Sequence, residues 1–170
     1  MFVRRRLFVS AVIAALMVMN APFARAAELD IQVPAPRVMD ACPVCGMLVA
    51  KYREWVATVV YKDGHAHHFD GAKDMFKFLF DMAKYGDGHT PGDIERIGVT
   101  EYYDLRKIDA KGAFYVVGSD VTGPMGHELV PFASRADAEA FLADHRGVRV
   151  LEFPDVTAGL PAMLDRGVFE

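Results

Sequence analysis

A recurrence at a fixed offset constrains the fold of this chain most strongly: Phe69, Asp74, Phe78 and Leu79 return 63 positions later as Phe132, Asp137, Phe141 and Leu142. The matched residues sit at equivalent places in a repeated order of elements. Residues 55–61 are rich in β-branched and aromatic side chains, Lys62-Asp63-Gly64 is a turn signal, and residues 65–69 return as a partner strand. Asp70 is a candidate N-cap for a helix whose apolar stripe runs Ala72, Met75, Phe76, Leu79, Met82, Ala83, with Gly86 as its stop. A loop with Gly88, Pro91 and Gly92 leads to a strand at 97–103. Strands at 113–117 and 129–132, a helix over 134–145 and a strand at 148–153 repeat the order. In that helix Ser134 and Asp137 approximate a capping box, and Ala138, Phe141, Leu142 and His145 form the stripe. Two unrelated helices with ordinary apolar faces are the alternative to duplication.

The expectation is therefore an α+β protein of two tandem ββαβ units, residues 41–104 and 105–154, packed as one small domain. An extended arm (27–40, with Pro34 and Pro36) precedes them and a tail (155–170) follows. About this length of chain encloses one modest core without disulfide help.

Residues 1–26 read as an export signal. Arg4, Arg5 and Arg6 precede an apolar run over residues 7–19 and a small-residue site, Ala24-Arg25-Ala26. The run is shorter than the roughly 18 to 20 residues of a membrane-spanning helix, so cleavage after Ala26 is expected. Arg5-Arg6-Leu7-Phe8 also resembles a twin-arginine signal, and three arginines equally suit the general secretory route. No cysteine follows the apolar run, so no stable membrane anchor is expected and the mature chain reads as periplasmic. Taking the four arginines of residues 1–26 from 19 basic side chains leaves 15 against 23 acidic, a formal charge of −8. Such a surface repels phosphate backbones and argues against a nucleic-acid partner.

Both cysteines of the chain lie in Cys42-Pro43-Val44-Cys45-Gly46-Met47. Two thiols beside a thioether form a soft donor set that favours Cu(I), zinc or iron–sulfur centres, and without metal the same pair can run disulfide exchange. A redox dithiol is usually set at a helix N-terminus, whereas residues 46–49 lead toward a strand. In the second unit Pro124 and three glycines shape an exposed loop unsuited to core packing, which makes Met125 and His127 candidate ligands. His65 and His67 project from one face of a strand and His68 from the other; such a pair can bind Cu(II) or zinc, or be a polar strand edge. His89 and His145 read as surface or capping residues.

Taken together, the cysteine motif, Phe114-Tyr115-Val116-Val117-Gly118-Ser119-Asp120, Gly123-Pro124-Met125-Gly126 and the run from Pro131 to Phe141 resemble the NosL family over residues 38–154. That resemblance implies a pair of ββαβ units related to part of organomercurial lyase. It implies a periplasmic copper-binding protein without catalysis, acting in nitrous oxide reductase maturation, with a cuproenzyme or a membrane copper-transfer complex as partner. It also implies Cys45 as the thiolate for Cu(I), Met47 and Met125 as accompanying sulfur donors, His127 as a nitrogen donor and Cys42 as a second thiolate or redox guard. The chain departs from well-known members in lacking the lipoprotein cysteine. A thiol–disulfide oxidoreductase, a structural zinc module and a lyase-like enzyme are the competing classes; the last rests on fold analogy alone.

Overall fold

The computed structural model describes residues 29–169, and the signal expected over residues 1–26 lies outside them. Among the described residues no helix is long and apolar enough to cross a membrane.

Strands β1 (Ala57–Tyr61) and β2 (Ala66–Phe69) form the expected hairpin, with Val59 opposite His67. Helices α1 (Ala72–Phe80) and α2 (Met82–Tyr85) follow, then β3 (Ile94–Thr100) and β4 (Lys107–Asp109), giving an antiparallel sheet in the order β2-β1-β3-β4. The second half runs β5 (Phe114–Val117), a small hairpin of β6 (Thr122–Gly123) and β7 (Gly126–His127), β8 (Val130–Phe132), α3 (Arg135–Asp144) and β9 (Arg149–Glu152). Its sheet order is β8-β5-β9. Both sheets thus place their first strand centrally, their second on one side and the strand after the helix on the other. The recurrence in sequence reflects this shared topology. The two units differ mainly between their first two strands, where a tight turn in the first becomes the β6–β7 excursion in the second.

The halves share a core because β5 is buried on both faces. Its side chains alternate with the pleat: Tyr115 and Val117 enter the main core with Val59, Phe69, Met75 and Phe76, while Phe114 and Val116 join Val130, Phe132, Ala138 and Phe141 beneath α3. Ser134 caps α3 as expected, its Oγ accepting from the Asp137 amide at 3.0 Å.

Four features differ from the sequence reading. The long helix breaks at Asp81, whose backbone leaves the helical region and whose amide closes a tight bond on the Phe78 carbonyl at 3.1 Å; Ala83 is consequently exposed. Strand β3 begins earlier, at Ile94. Lys107–Asp109, within the segment assigned to the second unit, instead pairs with β3. The arm extends that edge through Ile31 N to Lys107 O (3.1 Å) and Asp109 N to Leu29 O (2.7 Å). The segment read as a tail contains α4 (Leu160–Leu164), which buries Leu160 and Leu164 in the main core.

Candidate metal centre

The cysteine motif is a tight loop, not the opening of a helix. The Cys42 amide donates to Met47 O at 2.8 Å and the Gly46 amide to Cys42 O at 2.9 Å. Ala41 and Leu48 form an isolated antiparallel bridge around the loop. Gly46 turns the chain with φ +80°, a conformation that strains any side chain. The residues beyond enter a 3-10 turn, Val49–Lys51, where a strand was expected.

Asp70 does not cap α1; Gly71 occupies that position, and the Asp70 carboxylate turns to the cysteines. Cys45 Sγ donates to Asp70 Oδ1 at 3.2 Å and Cys42 Sγ lies 3.6 Å from Asp74 Oδ2. One donor atom from each of Cys42, Cys45, Asp70 and Asp74 falls within 4.8 Å of all the others. Cys42, Asp70 and Asp74 are 2%, 1% and 2% exposed, whereas Cys45 is half-buried. The cluster therefore has a closed floor and one accessible sulfur.

Burial pushes both thiols up, Cys45 to about 12 and Cys42 further, and the neighbouring carboxylates add to the effect. Both cysteines are free thiols. A redox dithiol requires the opposite, a thiol made acidic by a helix end or a cation. A metal ion fits better. Buried Asp70 Oδ2 has no hydrogen-bond partner among the described residues, which leaves a carboxylate acceptor beside the two thiols.

The second half reaches this place through α1. Lys73 is fully buried between Asp70 and Asp74 in sequence, and its ammonium donates to Met125 O at 2.7 Å and pairs with Asp165 at 2.9 Å. Lys77 continues the network, 2.8 Å from Asp165 and 3.2 Å from Asp74. Glu128, at the exit of the β6–β7 hairpin, supplies the missing cap of α1: its Oε1 accepts from the Lys73 amide at 2.5 Å and from the Leu129 amide at 2.9 Å. Gly71 gives Glu128 room here, since a Cβ would lie 2.1 Å from Glu128 Oε2 and the carboxylate would have to move off the helix end. The loop is thus docked by its backbone, leaving the Met125 side chain 42% exposed. His127 packs its ring edge against Phe169 at 4.8 Å, and its buried Nδ1 has no hydrogen-bond partner among the described residues. Met47 is half-buried on the cysteine loop.

The NosL family model matches residues 35–161, most of the chain. The chain belongs to the NosL family. It is 32% identical over 122 residues to the copper-binding lipoprotein NosL of Stutzerimonas stutzeri, covering 71% of this chain and 64% of that protein. The chain therefore spans about two thirds of the length of that relative. Its fold superposes on the crystal structure of the copper chaperone NosL from Shewanella denitrificans with a TM-score of 0.62 and 27% identity, over 74% of this chain and 96% of that one. All five expected ligands, Cys42, Cys45, Met47, Met125 and His127, fall inside the NosL match.

Sequence reasoning missed Asp70, Lys73 and Asp74. Asp70 reads as an ordinary N-cap, and Asp74 matches Asp137, whose role in α3 is capping. The available signal was the spacing of two acids around a lysine on a helix that follows the cysteines.

Proposed function

We propose that this chain is a periplasmic copper chaperone that carries Cu(I) without catalytic turnover and passes it to a cuproenzyme, in nitrous oxide reductase copper-site assembly. Copper binding in this chain is supported by its NosL relatives, which are named for it, and by the buried cysteine cluster. The observation that carries the reading is the pairing of a shielded Cys42 with a half-exposed Cys45 on a loop beside α1, the helix to which Lys73 anchors the Met125 loop.

Cys45 supplies the exchangeable thiolate, with Met47 and Met125 as neutral thioether donors, His127 as a nitrogen donor and Cys42 as the buried thiolate. Soft sulfur donors hold Cu(I) firmly at low coordination number, and a weak thioether leaves first when an acceptor thiolate approaches. Burial, reinforced by Asp70 and Asp74, keeps the metal-free thiols protonated, and the two carboxylates that face the sulfurs are acceptors for the protons that a metal displaces. Anaerobic Cu(I) titration against a competing chelator tests the reading, followed by transfer to apo-nitrous oxide reductase and to a membrane copper-transfer complex. Cys45→Ser is expected to abolish tight binding and Met125→Leu to weaken it. Unchanged affinity in both variants would overturn it.

A further inference from the structure

Three histidines that copper binding at the cysteines does not use meet at the open end of the first sheet. His65 precedes β2, His67 lies on it, and His89, read from the sequence as a surface or capping residue, arrives from the loop before β3 and bonds Gly86 O at the end of α2. Their ring centroids are 5.1 Å (His65 to His67), 5.3 Å (His65 to His89) and 6.0 Å (His67 to His89) apart. A tetrahedral ion about 2.0–2.1 Å from each imidazole nitrogen spaces three ring centres by roughly 5–6 Å, so the rings stand at a ligating separation, although among the described residues only the cysteine cluster already brings its donor atoms within 4.8 Å of one another and the histidine rings must turn to converge. His68, by contrast, faces the other side of the sheet, held by Thr58 at 3.0 Å.

Two of the three rings already have their other nitrogen arranged. His67 Nδ1 bonds the Tyr61 hydroxyl at 2.8 Å, which leaves Nε2 for a ligand. His89 Nδ1 donates to Gly86 O at 3.2 Å, the outer-sphere bond that orients a ligating imidazole and presents Nε2. That Nε2 faces Asp63 Oδ2 at 3.1 Å. A metal ion at that nitrogen would take the place of the proton shared with Asp63, next to a carboxylate that can stay as a fourth donor. The exposed His65 ring makes no hydrogen bond among the described residues and stacks on His89 at 12°. It is free to turn into the set. Tyr61, stacked on His89 at 3.9 Å, forms the floor.

We propose that His65, His67 and His89, with Asp63 beside them, form a second metal site for a borderline divalent cation, Zn(II) or Cu(II), separate from the cysteine centre. Imidazole nitrogens with a carboxylate suit such ions, while Cu(I) prefers the sulfur donors. Strand β2 carries His67 and runs directly into Asp70, so the two sites lie on the order of 10 Å apart along one strand. The proposal does not depend on copper binding at the cysteines.

The test is a Zn2+ titration of the full chain against a chelator of known affinity, using the Cys42→Ser/Cys45→Ser variant so that no thiol competes. One zinc ion per chain is expected, with His65→Ala and His89→Ala each weakening binding by about tenfold or more and His145→Ala leaving it unchanged. Zinc affinity unaffected by His65→Ala and His89→Ala would overturn the proposal. Should the double serine variant not fold, ring-nitrogen NMR of the wild-type chain decides: added Zn2+ is expected to shift His65, His67 and His89, and no shift in any of the three refutes the site.

Discussion

The Cys45 thiol donates its hydrogen bond to Asp70 Oδ1 at 3.2 Å, joining a loop and a helix approach 25 residues apart. Burial is the largest reason that this thiol is pushed up to about 12, and the Asp70 bond raises it further. A free thiol near 8.5 is roughly a quarter ionised at pH 8, while one near 12 is about one part in ten thousand thiolate. Cys45 in the metal-free protein is therefore expected to alkylate far more slowly than an unfolded cysteine at pH 8, and Asp70→Asn to speed it several-fold. Iodoacetamide labelling followed by mass spectrometry checks this, and wild-type labelling at the unfolded rate would contradict it.

The same proton governs metal affinity. The empty site holds protonated thiols and the loaded site holds thiolates, so each thiolate ligand must displace one proton. Apparent Cu(I) affinity is expected to rise with pH from 6 to 8, by about a factor of ten per pH unit for each thiolate formed. A Cys42→Ser variant should show a slope one unit smaller than wild type if both cysteines ligate. Chelator competition at several pH values measures the slopes, and a pH-independent affinity would rule out thiolate ligation.

The order of strands and helices was legible because β-branched runs, a turn signal and two apolar stripes each act locally. The cysteine loop and the Met125 loop stood out for the same reason, through Gly46 and Pro124. What could not be read depends on distant partners. Asp70 has a capping residue's sequence context, and only the packed fold turns it toward Cys45 while Glu128, from the other unit, takes over α1. Strand β4 carries no hydrophobic period of its own and exists because β3 and the arm flank it. The short α4 reads as tail until Leu160 and Leu164 find the core.

Glu128 should make stability fall as pH rises. Complete burial pushes its carboxyl up to about 8, above the ordinary 4.3 of an unfolded glutamate. Between those values the folded protein binds a proton that the unfolded chain has released, so this contribution is present at low pH and is lost as pH rises through the folded pKa. Glu128→Gln keeps an oxygen for the Lys73 and Leu129 amides and cannot ionise. Urea denaturation at pH 5.5 and 8.5 is expected to show a smaller loss of stability in Glu128→Gln than in wild type, by on the order of a few kcal/mol. Equal losses would show that Glu128 does not titrate in this range.

Lys73 gives a prediction of rank order. Its ammonium is fully buried and is satisfied by Met125 O at 2.7 Å and Asp165 at 2.9 Å. Lys73→Met removes the charge, and Asp165 remains partly exposed and still paired with Lys77 at 2.8 Å, so no buried charge is stranded. The cost is that of unpaired polar groups, on the order of 1–3 kcal/mol. Asp165→Ala instead leaves the Lys73 ammonium buried with one neutral acceptor, a loss in the range of about 3–5 kcal/mol. Asp165→Ala is therefore expected to destabilise more than Lys73→Met in urea unfolding, although Asp165 is the more exposed partner. The Met125 loop responds oppositely, since only Lys73→Met releases its carbonyl. Cu(I) affinity should fall by about tenfold in Lys73→Met, and less in Asp165→Ala under conditions where both remain folded. A reversed order in either measurement would show that Lys73 does not hold the loop.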